Sequence, residues 1–598
     1  MRRSALQLLL VASAAWVGCS TERPSFENKP TDLGSRDGGL EDVDAGCSGL
    51  VCSRDLRSVL DCPGNVVKEC AADTACGKGE CIAPCDAAAL NEGSVGCSFA
   101  IPSTVEDGNA PGSCAAIFVA NNWTSPATLR LTFNGEERAL DGAVWVPYTE
   151  DGKVKHKPLE GPVPPGGGAV VFLSNEDTGA QYWVGCPAGV KPIFEKSVAI
   201  DGTGIANAVF ASADVPVSMY SIYPYGGARS YIPSATLLLP TTSFGKNYVL
   251  ESSWGGKYDV FGRKVLRPDE PYDQQGTPTL QIVAIEDDTS VDLLPRVGIA
   301  GGRSIAASPA NEVASFKLQR GEVLQLAQEH ELVGSVLESD KPVGVFGGNS
   351  CMNVPFGIGT CDRDSKQIPP LSAWGHEYAV LPAPDRVRLA GSRNEGSGEL
   401  SVIRIVGAAD ATELVYEPAQ PDGAPTTLQR GELARFFTNK PFVVRSQDSA
   451  HPFYVAAVMT GSAASRSGMG DPETAIAIPT DQWLDAYGFF SDYTYTRSAV
   501  YVTRRKSNGA FRDVTLDCAG ALTNWEPITP DYEWTYVELT RGAQPVSYPA
   551  GACTDGAHRM HSDGPFTMTV WGVGHAATYS YPGGTGLRRA TDLYVPVR

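Results

Sequence analysis

Apolar and polar residues alternate with a period of two along much of the chain beyond residue 112. In "LQIVAIEDDTSVDLLP", Leu280, Ile282 and Ala284 alternate with Gln281 and Val283; a polar turn follows, and Val291 and Leu293 resume the apolar row. That period belongs to strands with one buried face. "CAAIFVANNWTSPATLRLTF", "LSVIRIVGAADATELVYE" and "AVYVTRRKSNGAFRDVTLDC" read the same way. Helical periodicity is scarce, and "TDQWLDAYGFF" alone reads as a short helical turn.

The runs fall into a longer repeat. "LQRGEVLQL" at Leu318 returns as "LQRGELARF" at Leu428 and "LTRGAQPVS" at Leu539, with "PPGGGAVVF" at Pro164 as a degenerate first copy. Apolar residues on both sides of a Gly turn predict hairpins. A second phrase starts at Ser212 ("SADVPV"), Ser339 ("SDKPVG"), Ser449 ("SAHPFY") and Ser562 ("SDGPFT"). Its Pro has no N–H to give a ladder, which predicts the start or the edge of a strand. After the first three copies comes an Ile-Pro phrase with an aromatic near a Gly: "IPSATLLLPTTSFGKNYVL", "IPPLSAWGHEYAVLP" and "IPTDQWLDAYGFFSDY". Roughly 110 residues and seven strands per copy suit one β-sandwich, or two propeller blades. The expected fold is all-β: tandem sandwich-like units at about 112–250, 278–382, 399–496 and 497–598, within a β region spanning 98–598.

The front end is different. "MRRSALQLLLVASAAWVGCS" has two Arg, an apolar run and Gly18-Cys19, the layout of a signal peptide too short to span a membrane. Gly18-Cys19 is similar to a bacterial lipobox, which makes residues 1–19 a lipoprotein signal and Cys19 the lipidation site. Ser20 rather than Asp after Cys19 points, by similarity to Gram-negative lipoproteins, to the outer membrane or cell surface. Residues 20–46 are polar, acidic and rich in Gly and Pro, a flexible tether. Residues 47–97 hold Cys47, Cys52, Cys62, Cys70, Cys76, Cys81, Cys85 and Cys97, a module too small to fold without staples. The chain has 15 Cys, and lipidation of Cys19 leaves an even number for disulfides. Zinc is disfavoured in the cluster, which has no C-x2-C pairs and no His.

Composition narrows the function. A net charge of −20 without a basic block argues against nucleic acid. No nucleophile elbow, P-loop, dinucleotide fingerprint or H-E-x-x-H motif occurs, so no catalytic residue and no cofactor is assigned. His558 and His561 read as a surface pair, and "EDDTS" and "GMGDPETA" (with Asp471 and Glu473) as solvated turns rather than calcium sites. "ESSWGGKYDVFGRKVLRPDEPYDQQG" (251–276) breaks the repeat rhythm, and its Trp254, Tyr258 and Tyr272 are candidate binding residues on an inserted loop.

"VGSVLESDKPVGVFGGNSCMNVP" followed by "CDRDSKQIPPLSAWGHEYAVLP" resembles the IgGFc-binding protein N-terminal domain family, as do "ATYSYPGGTGL" near the end and "CSRDLRSVLDC" and "GCSFA" at the front. The resemblance covers about residues 97–598. It implies an extracellular recognition or adhesion module; together with the lipid anchor read at Cys19, the expectation is a lipid-anchored surface protein with a protein, glycoprotein or glycan as partner. No residue is marked for antibody. Expected disulfides are Cys351–Cys361 across a short loop, Cys518–Cys553 within the last unit, and Cys114–Cys186, where Cys97 competes for Cys114. A surface hydrolase of glycans and a purely structural envelope protein are the alternative readings.

Overall fold

A computed structural model describes residues 49–598 apart from 54, 63, 104–109, 151–152, 253, 255–275, 356–359, 390–397 and 466. Cys19, the tether and Cys47 therefore lie outside the described residues. The described chain is mostly β in large antiparallel sheets; its two α-helices are Pro84–Asn91 and Arg386–Leu389, and the expected helical turn is a 3-10 turn at Thr480–Gln482.

The cysteine-rich segment builds a small sheet from Val51–Cys52, Ser58–Leu60 and Val66–Glu69, a hairpin of Ala75–Gly77 with Glu80–Ile82, and the helix Pro84–Asn91. Periodicity gave no sign of this helix, because its side chains are small and only Ala87 and Ala88 are buried. Bonds Cys52–Cys76, Cys70–Cys81 and Cys85–Cys97 staple it. Cys97 lies in the strand Gly96–Pro102, which pairs with Gly204–Tyr223, so the module runs straight into the first repeat.

Three strands are exceptionally long: Gly204–Tyr223, Val336–Met352 and Gly556–Gly574. Each carries a Ser/Pro phrase in its interior, not at its start as the sequence suggests. Residues before the phrase pair in one direction and residues after it in another. Val336–Ser339 face Thr289–Leu294, whereas Val343–Asn349 face Pro278–Ala284. Gly556–His561 face Leu484–Ser491, whereas Phe566–Val573 face Arg497–Arg505. The phrase is a corner at which one strand exchanges one set of partner strands for another. Only the Ser449 copy opens into a turn, between Phe442–Arg445 and Phe453–Val458.

The Gly turns of the other phrase are tight, with φ of +87° at Gly321 and +69° at Gly431. Glu322 and Glu432 side chains accept from the amides of Gln319 (2.7 Å) and Gln429 (2.8 Å). Asp287 and Asp410 hold the amides of Arg320 (3.1 Å) and Arg430 (3.0 Å). The expected hairpins do not form here, because the strands on either side of the turn take different partners: Ala314–Leu318 pairs with Thr289–Leu294, and Glu322–Ala327 with Pro278–Ala284. The Leu539 copy is a hairpin.

The Ile-Pro phrases build a joint. Pro240, Pro370 and Pro479 each begin a 3-10 turn. A Cβ on Gly96, Gly245 or Gly375 would stand 2.5, 2.4 or 2.3 Å from the ring of Pro240, Pro370 or Pro479 respectively, so each proline presses on the glycine of the preceding joint. Three residues after that glycine position sits Tyr248, Tyr378 or Tyr487. The Tyr248 hydroxyl accepts from the Gly245 amide at 2.9 Å and donates to the Val343 carbonyl at 2.7 Å. Tyr378 does the same with Gly375 and Phe453, and Tyr487 with Leu484 and Phe566. The accepting carbonyl always belongs to the residue after the phrase's proline, so Tyr and Ser/Pro corner are one device. In the first repeat Phe99 takes the position. Gly245–Val249, Glu377–Val380 and Leu484–Ser491 thus pair into the repeat that follows them, and the sheets cross the boundaries read from sequence.

The last repeat also packs on the first. Phe118 stacks on Phe490 at 4.7 Å and Tyr220 on Tyr581 at 4.5 Å within one shared core. Tyr220 donates to the carbonyls of Gly488 (2.9 Å) and Gly583 (2.7 Å). Ser94 and Thr585 exchange hydrogen bonds, and Gly93 bridges to Gly586.

Candidate binding surface

Of the loop aromatics singled out in the sequence, Trp254 is not at the surface. It is 1% exposed, its carbonyl accepts from Asn349 Nδ2 at 2.7 Å, and the Arg435 guanidinium lies 5.3 Å from its ring centroid. The loop folds this indole inward because it seals a small apolar cluster with Met352, Val354, Val402 and Val458. Tyr258 and Tyr272 lie outside the described residues.

A different aromatic group is exposed. Tyr231 is 39% exposed and holds φ at +60°, a conformation that bulky residues rarely adopt. Its ring meets Tyr182 edge-on at 5.5 Å and exposed His575 at 6.2 Å. Three loops supply these side chains: the irregular run after Gly168–Ser174, the turn following Gly204–Tyr223, and the tip between Gly556–Gly574 and Ala577–Pro582. Exposed Arg229 stands on the same turn as Tyr231. Beneath, Tyr182 packs against Ile232 and the Cys351–Cys361 pair. The arrangement offers flat aromatic faces with a hydroxyl, an imidazole and a guanidinium at its margin, chemistry suited to protein or sugar surfaces. One weak sequence signal marks it, a Tyr set in the Gly-rich turn "YGGARSYIP"; Tyr182 and His575 meet it only through tertiary folding.

Elsewhere the repeats meet through buried charge. Arg404 is held by Glu251 (2.8 Å) and Glu331 (2.6 Å), and Glu331 also pairs with Arg435 (2.6 Å). Asp471 and Glu473, expected in a solvated turn, are 1% and 0% exposed. Glu473 is buried because the strand Asp362–Ile368 brings Lys366 to it, and Asp471 because its carboxylate accepts from the Thr360 hydroxyl and from the Ser462 amide at 2.9 Å. Burial pushes the Asp471 carboxyl up to about 7, and burial with the neighbouring Asp364 charge pushes Glu473 up to about 8. Burial, then the Asp471 and Glu473 charges, keep Asp362 well above the usual carboxylate range.

His558 is also buried, not one of a surface pair. Its Nδ1 lies 2.9 Å from Asp517 and its Nε2 2.7 Å from the Thr554 carbonyl, while His561 is exposed. Asp517, Cys518 and His558 cluster closely enough to suggest a metal. The Cys518 sulfur is bonded to Cys553, so it is no thiolate ligand.

Cys114–Cys186, Cys351–Cys361 and Cys518–Cys553 are bonded, with Cα separations of 4.9, 5.3 and 5.0 Å. Cys97 does not compete for Cys114, since Cys85 holds it; Cys62 is disulfide-bonded as well. Bonds spread over the whole chain are those of an oxidising, extracellular compartment. Among the described residues no helix is long and apolar enough to cross a membrane.

Mostly-β sheets stapled by many disulfides define an extracellular class of β protein. Residues 234–572, more than half of the chain, match the family model for IgGFc binding protein, and the chain belongs to that family. It is 28% identical over 258 residues to the IgGFc-binding protein of Homo sapiens. That similarity covers 41% of this chain and only 4% of the human protein.

Proposed function

We propose that this chain is a lipid-anchored surface protein that binds an extracellular protein, glycoprotein or glycan. Family membership supports a binding role, and the Tyr182–Tyr231–His575 group is the observation that carries the reading to a place. Tyr231 holds a backbone conformation rare for a bulky residue, at φ +60°, while 39% of it is exposed. The four repeats act as sandwich-like units whose loops present the ligand surface. Long strands that change partners at the Ser/Pro corners support this over propeller blades.

A binding rather than hydrolytic role is supported by the carboxylates of raised pKa. Asp362, Asp471 and Glu473 lie sealed between repeats, not facing one another across an open cleft as glycoside hydrolysis needs. The test is binding of the exported, disulfide-intact chain to an array of glycans, mucins and immunoglobulin Fc. A saturable ligand whose affinity falls at least tenfold in Tyr231→Ala, with thermal stability unchanged, is the expected result. Binding indifferent to Tyr231→Ala would move the site elsewhere, and silence across the array would favour the structural-protein reading.

A further inference from the structure

The strand Asp362–Ile368 is hydrophilic up to its last residue and yet almost wholly buried. Burying so many polar groups is costly unless each finds a partner. One place on the strand is more than an ion pair. Lys366, 5% exposed, points its Nζ at three acceptors: the carbonyls of Ala235 (2.7 Å) and Ser580 (2.9 Å) and Oε1 of Glu473. Asp364 Oδ1 stands 3.8 Å from the same nitrogen and has no hydrogen-bond partner. The other Asp364 oxygen is fixed by Thr474 Oγ1 at 2.6 Å.

The two oxygens of Glu473 are treated differently. Oε1 accepts from the Ser580 amide at 2.7 Å and from the Ser580 hydroxyl at 3.2 Å. Oε2 is buried and has no partner. A simple salt bridge leaves that oxygen desolvated and unsatisfied.

We propose that Lys366 and Glu473 condense spontaneously into an isopeptide bond that ties the second repeat covalently to the third. The reaction balances with groups already in place. In the first step one proton passes from Nζ to Oε2 of Glu473, so that a neutral amine faces a neutral acid whose carbonyl oxygen is Oε1. Burial already holds the Glu473 carboxyl up to about 8. The Nζ lone pair attacks Cδ, and the C–N bond forms while the C=O electrons move onto Oε1. The Ser580 N–H and O–H face that oxygen and stabilise its charge. Asp364 takes one proton from the nitrogen and delivers it to Oε2. The C–Oε2 bond breaks and Oε2 leaves as water. Amine plus acid gives amide plus water, with no oxidant and no further reactant. Fixed proximity replaces an activating agent.

The product fits the same surroundings better than the reactants. The amide N–H keeps a carbonyl acceptor from Ala235 or Ser580, the amide oxygen keeps both Ser580 donors, and the unpartnered oxygen is gone. No net charge remains buried in the pair.

The test is peptide mapping of the exported full-length chain, reduced, alkylated, denatured and digested with trypsin. The expected product is Asp364–Arg386, uncut at Lys366, joined to Ser467–Arg497 with the mass of one water missing. Cleavage after Lys366 together with a linear Ser467–Arg497 peptide of unaltered mass would overturn the proposal. Asp364→Asn keeps the site's size and removes the proton carrier. Linear peptides from that variant are expected, and a persisting branch would overturn the role given to Asp364.

Discussion

The joint tyrosines allow a local test of the fold. In Tyr248→Phe the ring stays, fills the same space and opens no cavity. Only the hydroxyl is lost, and with it the bonds from the Gly245 amide at 2.9 Å and to the Val343 carbonyl at 2.7 Å. Tyr248 is 1% exposed, so water does not simply replace them. At about 0.5–1.5 kcal/mol net for each hydrogen bond, the expected cost is about 1–3 kcal/mol. A chain of several units does not unfold in one step, so a global midpoint does not assign the loss to one joint. Amide hydrogen exchange resolved by peptide is the right one, since it reports the free energy of local opening. Protection across Gly245–Val249 and the corner of Val336–Met352 is expected to fall about fivefold to a hundredfold, with the last repeat unaffected. Tyr378→Phe and Tyr487→Phe shift the same effect one and two repeats along. Unchanged exchange in these segments, or an equal loss everywhere, would refute the idea that Tyr and Ser/Pro corner form one joint.

Asp555 is fully buried and its carboxyl is pushed up to about 7, first by burial. Its folded value exceeds its unfolded one, so its contribution to stability is present at about pH 4 and is lost as pH rises towards 7; Asp555→Asn is expected to flatten that part of a stability–pH profile measured by thermal melts. Arg404→Ala strands Glu251 and Glu331 in the interior, and a loss of about 3–5 kcal/mol in denaturant titration is expected, whereas a loss below about 1 kcal/mol would mean that water reaches the pair. Reducing Cys114–Cys186, or replacing both residues with Ser, is expected to cost about 2–5 kcal/mol, read as early melting of the first repeat.

Strands were legible in the sequence wherever a single face is buried, as in Leu280, Ile282, Val291 and Leu293, all of them core residues. The meaning of the Ser/Pro phrase was not legible. Proline reads as a strand boundary in one dimension, but Pro342 and Pro565 sit inside strands that change partners. The LQRG phrase likewise announces a turn correctly and its pairing wrongly, because a turn's residues do not say which strand the outgoing chain will join. The binding surface was missed for a similar reason. Trp254 stood out by composition and is buried, while Tyr231 was one Tyr among 22 until folding set Tyr182 and His575 beside it. Buried Asp471 and Glu473 read as loop acids because nothing near them in sequence announces Lys366.

The contact between first and last repeats bears on how the protein is made. Open repeat arrays need special terminal units to shield their exposed flanks. Here Phe118 and Tyr220 are covered by Phe490 and Tyr581, and Ser94 is bonded to Thr585. Residues laid down early in synthesis thus wait for some of the last before their own core is complete. A chain stopped short of Phe490 and Tyr581 would leave an aromatic flank of the first repeat bare, so that repeat finishes folding only after strands made several hundred residues later have arrived.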